Sequence, residues 1–224
     1  MRRALRENSL SLVFLGLFLA ALVAQAFAGW HAFNDDAAAH KEAAISLGRY
    51  LTSSSFGNAV LENWQSEYLQ FTLYILLTVW FLQRGSPESK ELDQAGGESD
   101  ERQLVGPYAP PGAPRWARLG GWRRAIYSNS LVIVMTAIWL ASWFGQSVTG
   151  WSEYNSQQIT HHQPTVDWVG YLGSADFWEA TLQNWQSEFL AVGSMAVLSI
   201  YLRQRGSPES KPVGAPHDAT GTEG

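Results

Sequence analysis

Hydrophobic positions along the chain gather into four long runs, and polar, glycine- and proline-rich or charged segments separate them. The first, at about 10–29, reads LSLVFLGLFLAALVAQAFAG; the others lie at about 64–83, 131–150 and 185–203. As a helix, a run of about 18 residues or more crosses a hydrocarbon core of roughly 30 Å. A chain of 224 residues has too little mass to bury four such helices on every side. The pattern predicts an all-α membrane protein with four transmembrane helices.

The pattern also recurs. At an offset of 121 positions, Arg2–Lys90 aligns with Arg123–Lys211 without a gap, and roughly a third or more of the pairs are identical. ENWQSEYL (Glu62–Leu69) returns as QNWQSEFL (Gln183–Leu190), and QRGSPESK stands at both Gln83–Lys90 and Gln204–Lys211. Two tandem, parallel-oriented helical hairpins are therefore expected. The first two-helix repeat covers 1–90, a flexible cytoplasmic linker 91–122, the second repeat 123–211 and a disordered tail 212–224. The linker expectation rests on GPYAPPGAP and ESDE, which bury too little apolar surface to order themselves.

Charge sets the orientation. Arg2, Arg3 and Arg6 precede the first run, seven Lys and Arg residues lie between Arg84 and Arg124, and Arg203, Arg205 and Lys211 follow the last run. The two intervening loops carry only Lys41 and Arg49. The excess of Lys and Arg places both termini and the linker in the cytoplasm of a multi-pass protein of the cell membrane. Arg2, Arg3 and Arg6, with Ala24-Gln25-Ala26 beyond, also fit a signal peptide. Arg123-Arg124-Ala125 precedes the internal third run in the same way, so the first helix is expected to be retained.

Composition narrows the chemistry. With no cysteine there is no disulfide, thiolate metal site or Cys nucleophile. No nucleophile elbow, Walker loop, dinucleotide fingerprint or zinc motif appears, so no catalytic residues and no cofactor are assigned. A net charge of −5 without a folded basic domain argues against nucleic acid. The expected partners are the lipid bilayer and a homo-oligomer or membrane-protein partner.

Polar residues near the mouth of the helices are the strongest site candidates. Glu67 and Glu188 would sit about one turn into the outer edge of the hydrocarbon, and Gln25 and Gln146 would reach that layer from the opposite chain direction. Asn63 and Asn184 lie four residues before the glutamates, on one helical face. These six residues are expected to form a polar membrane layer, either hydrogen-bonding glue between helices or a proton or cation site. Trp64, Trp185, Trp30 and Trp151 are read as interface anchors. At the cytoplasmic exit, Arg84 and Arg205 snorkel to headgroups. Gly85 and Gly206 take a left-handed cap, and Pro87 and Pro208 stop the helix. Metal is not expected; His40 and His161, at equivalent positions in the outer loops, are weak candidates only. The matching Glu-Ser-Lys that ends each exit has no account at this level beyond a docking site.

The NWQSE helix start with the QRGSPESK exit resembles a family of small bacterial integral membrane proteins of unknown function. The matching residues are Asn63–Glu67 and Gly85–Lys90 with their partners 121 positions on. The resemblance implies membrane location and helical architecture, and no mechanism. Three functions follow in order: a structural or interaction module packing through the polar layer; a small proton- or cation-linked transporter or channel using the Glu pair; and an outer-face metal or enzymatic site.

Overall fold

Helices begin and end in this chain at intervals that repeat. The computed structural model describes residues 2–222; Met1, at the edge of the first expected repeat, and Glu223 and Gly224, at the end of the expected tail, lie outside the described residues. Helix accounts for 66% of the chain, and no strand occurs among the described residues. A short α1 (Arg2–Glu7) leads into α2 (Ser9–Ala39), followed by α3 (Leu47–Leu51) and α4 (Ser54–Trp80). The expected linker holds a single 3-10 turn at Gly106–Tyr108 and the short α5 (Arg115–Arg118), and α6 (Gly121–Ser128) runs from its end into the second expected repeat. Then come α7 (Ser130–Thr160), α8 (Trp168–Leu172) and α9 (Ala175–Tyr201). Each of α7, α8 and α9 starts 121 positions after α2, α3 and α4 and has the same length: 31, 5 and 27 residues.

Two helices, α2 and α7, are long and apolar enough to cross a membrane, with mean hydropathy 2.3 and 1.6 over their best windows. Both run about ten residues past the apolar stretches read from the sequence, because Asp35–Ala39 and Glu153–Thr160 continue the helix. At 31 residues each is about 46 Å long, well beyond a core of roughly 30 Å. Helices α4 and α9 do not reach that apolarity, since NWQSE sits near their middle. The apolar window of α2 has none of its residues buried. Leu10, Val13, Leu15, Leu17 and Val23 are each more than half exposed, and they point to all sides of the helix. Exposed apolar surface of that extent marks contact with lipid or protein rather than water.

The chain divides into two compact units, and each draws on both halves of the sequence. One comprises Met1–Leu61 and Gly145–Ser174; the other comprises Glu62–Phe144 and Ala175–Gly224. In the first unit, α4 and α7 meet on small residues. A Cβ on Gly57 would stand 3.0 Å from Thr149, and one on Gly145 would stand 2.8 Å from Leu61. Small residues at such crossings let backbones approach closely. The phenols of Tyr50 and Tyr171, both buried, use the same device: a Cβ on Gly29 would lie 2.2 Å from the Tyr50 hydroxyl, and one on Gly150 2.4 Å from that of Tyr171.

Candidate functional site

Within the first unit, each long helix holds its following loop by one arrangement. On α2, Trp30 Nε1 donates to Ile45 O at 2.7 Å and Asn34 Nδ2 donates to the same carbonyl at 3.1 Å. The Ile45 amide returns a hydrogen bond to Asn34 Oδ1 at 2.8 Å. On α7, Trp151 Nε1 and Asn155 Nδ2 each donate to Val166 O at 2.8 Å, and the Val166 amide donates to Asn155 Oδ1 at 2.9 Å. Trp and Asn stand four apart, so both project from one helix face toward one peptide group. Trp30 and Trp151, expected as interface anchors, thus clasp the loop backbone. The residue after the clasped peptide caps a short helix: Ser46 accepts from the Arg49 amide and Asp167 from the Gly170 amide.

The same unit carries an open cleft of about 360 Å³ lined by Asp36, His40, Glu42, Glu153 and His161, among others. The rings of His40 and His161 meet edge to face with centroids 5.9 Å apart. His40 Nδ1 lies 3.0 Å from Asp36 O, Thr160 Oγ1 donates to Glu42 at 3.4 Å, and Ser55 Oγ donates to Glu153 at 2.5 Å. Beside the cleft, burial pushes the Tyr50 phenol above its ordinary range, and the Glu153 carboxylate adds to the effect. The two histidines do come together, but no group of three or more His, Asp or Glu able to hold a metal ion occurs among the described residues.

The second unit contains both NWQSE copies. Glu62 accepts from Asn184 Nδ2 at 2.8 Å, and Gln65 Oε1 accepts from Trp185 Nε1 at 2.7 Å. Ser66 hydrogen-bonds Glu188, which also feels the charge of Glu67. Gln65 and Ser66 are fully buried, whereas Asn63, Trp64 and Glu67 are exposed. The contact stripe on α4 is therefore Glu62, Gln65, Ser66, Leu69 and Thr72, at helical spacing. Sequence reasoning placed the face at Asn63 and Glu67 and missed Glu62 and Gln65; the buried Leu69 and Thr72 farther along were the signal. Trp185 turns inward and joins Trp143, 5.7 Å away, which also packs against Trp139, Phe177 and Trp178.

Of the six residues expected in one polar layer, Asn184, Glu188 and Glu67 belong to this crossing, and Asn63 lies exposed in the same unit. Gln25 and Gln146 belong to the first unit, the one exposed and the other buried. The buried Gln65 Nε2 and Gln146 Oε1 have no hydrogen-bond partner among the described residues.

Both exit motifs form the same turn. Gly85 and Gly206 take φ +85° and +79°, a backbone region that suits glycine. The Ser86 and Ser207 amides donate back to Gln83 O and Gln204 O at 3.1 and 3.2 Å. Ser89 and Ser210 each accept from the Gln83 and Gln204 amides at 2.9 Å, closing the turn. Lys90 reaches Gly96 O at 3.1 Å and pairs with Glu98 at 3.2 Å. Lys211, nearly fully buried, donates to Pro216 O, His217 O and Ala219 O at 3.1, 2.8 and 3.2 Å. Glu88 accepts from the Tyr74 hydroxyl. The Ser and Lys of the motif, unexplained by helix termination alone, thus fold the chain that follows it. Arg84 and Arg205 are exposed, and Arg84 stands 3.7 Å from Asp218. Pro87 is buried, Pro208 exposed.

A family model matches residues 1–222, which take in both NWQSE helices and both exit turns. The chain belongs to the family described as a domain of unknown function, DUF6766. No curated protein and no solved structure matches it. The description of DUF6766 carries no activity, so function rests on the residues themselves.

Proposed function

We propose that the chain is a multi-pass protein of the cell membrane, built from a duplicated helical hairpin, whose work is packing and interaction rather than catalysis. Its four spans are α2, α4, α7 and α9, with both termini and the linker in the cytoplasm. One observation carries the reading: α2 presents apolar side chains on every face and buries none of its apolar window. The equal lengths of the helix pairs 121 positions apart support the duplication. The Lys and Arg distribution supports the orientation. Polar contacts between α4 and α9, Glu62 with Asn184 and Gln65 with Trp185, supply the glue.

The absence of cysteine makes topology directly testable. Single substitutions Glu42→Cys, Gln163→Cys and Ser99→Cys are exposed to a membrane-impermeant maleimide in intact cells. Labelling of the two loop cysteines, and of the linker cysteine only after permeabilisation, is the expected result. Labelling of Ser99→Cys in intact cells overturns the orientation.

A second reading has its own observation. Glu67 and Glu188 interact through their charges, and Ser66 hydrogen-bonds Glu188, so this carboxylate pair would take a proton or a cation. On this reading, Glu67→Gln with Glu188→Gln abolishes pH-dependent ion flux in proteoliposomes while the protein stays folded. Flux absent from the parent, or retained by the double variant, dismisses it. On the packing reading, the same pair of substitutions is mild, since Gln still hydrogen-bonds.

A further inference from the structure

Two copies of one eight-residue turn differ in their cover: the first is covered and the second is open. Both have the same left-handed glycine and the same closing hydrogen bonds. In the first copy Gly85, Ser86 and Pro87 are buried; in the second Gly206 and Pro208 are exposed and Ser207 is half-buried. The cover is the segment that follows Lys211. The Gly85 amide donates to Thr220 Oγ1 at 2.9 Å, and the Gly221 amide donates to Ser86 O at 3.1 Å. Asp218 stands 3.7 Å from Arg84, and His217 O lies so close that a Cβ on Gly85 would come within 2.4 Å of it. A Cβ on Gly206 would meet nothing within 4 Å.

The recognition of the tail is main-chain recognition by the turn, with one arginine beside it. Its elements recur at the second copy: Arg205, the Gly206 amide and the Ser207 carbonyl, which accepts from the Ser210 amide at 3.2 Å and keeps a second lone pair for another donor. We propose that the second exit turn is a docking site for the Asp218–Gly221 segment of a second copy of this chain. The occupant is argued from the occupied twin, since the segment that fits the first turn has the chemistry the second turn offers: a carboxylate, then a hydroxyl, then a glycine amide. A tail that leaves its own first turn for a neighbour's second turn exchanges one set of contacts for an equal set. That makes it a low-cost swap of the kind that joins identical chains. Reciprocal exchange between two copies closes as a dimer, and one-way exchange runs head-to-tail until a ring closes. The proposal does not depend on membrane topology and is tested on solubilised protein.

Two differently tagged full-length copies are mixed, one carrying Ser207→Cys and the other Thr222→Cys. The chain has no native cysteine, so a disulfide can form only between the introduced residues. Mild oxidation is expected to yield a disulfide-linked pair of the two tags. In the copy that carries Ser207→Cys, Arg205→Glu reverses the charge that would face Asp218 and leaves the first turn intact. It should lower the yield about fivefold, the upper worth of an exposed ion pair. Adding a synthetic peptide of residues 215–222 should compete the pair away. No mixed pair, a yield unchanged by Arg205→Glu, or a yield unchanged by the peptide would each overturn the proposal.

Discussion

Asn155→Leu is expected to lower stability by about 2–3 kcal/mol and to expose the Val166 amide to rapid hydrogen exchange. The reason lies in what the side chain holds. Asn155 both accepts from the Val166 amide and donates to the Val166 carbonyl. The carbonyl keeps its second donor, Trp151 Nε1, after the substitution. The amide loses its acceptor, and a peptide N–H left partnerless in a part-buried site costs about 1–3 kcal/mol. Asn155→Asp retains the acceptor and loses only the donor, so its effect is smaller. Asn34→Leu acts in the same way on the Ile45 amide. Thermal unfolding in detergent measures the loss, and exchange of the Ile45 and Val166 amides locates it. Unchanged protection at Val166 in Asn155→Leu removes the clasp from the account of the outer loops.

The second large effect is steric. Gly150→Ala places a methyl carbon 2.4 Å from the Tyr171 hydroxyl and 2.9 Å from Asn58 Oδ1. Tyr171 is only 2% exposed and has no open space to retreat into. Overpacking of this kind costs about 1–3 kcal/mol. Tyr171→Phe in the same chain removes the nearer oxygen and leaves Asn58 Oδ1 at 2.9 Å and the ring atom at 3.2 Å, so part of the loss is recovered. Gly29→Ala meets the Tyr50 hydroxyl at 2.2 Å and follows the same logic. Gly16→Ala, where a Cβ meets nothing within 4 Å, is the control and is expected to be neutral or slightly stabilising, as alanine favours helix over glycine. Melting of the parent, the single variants and the Gly150→Ala, Tyr171→Phe pair decides it; a pair no more stable than Gly150→Ala alone places the strain elsewhere.

The all-helical architecture and the family's uncharacterised standing were legible from apolar runs and from the repeated motifs. The stops before the exits were legible only nearly: α4 and α9 end at Trp80 and Tyr201, five residues before Gly85 and Gly206, which shape a turn beyond the helix rather than cap it. Asp35–Ala39, rich in helix formers, is helical, but as a continuation of the first apolar run. Solvated residues extend a helix without altering the hydrophobic pattern that marks it. In NWQSE, two polar faces overlap within five residues. Asn63 with Glu67 obeys the same four-residue spacing as Glu62 with Ser66, so spacing alone does not choose between them. The choice follows from packing farther along the helix, at Leu69 and Thr72. The clasp of Trp30 and Asn34 was visible as repeated letters but not as a function, because its partner is a peptide group, which has no letter of its own. Lys211 was hidden for the same reason.

The same main-chain hold governs how the loops after α2 and α7 can change. The clasp reads main chain only, so the residues it holds need not match: Ile45 in one loop, Val166 in the other, with KEAAI before the first cap and HQPTV before the second. A loop tied by its backbone can vary its side chains without losing its path. Two loops held by the same main-chain clasp therefore have chemistries that are free to diverge, so one could specialise while the other keeps its role.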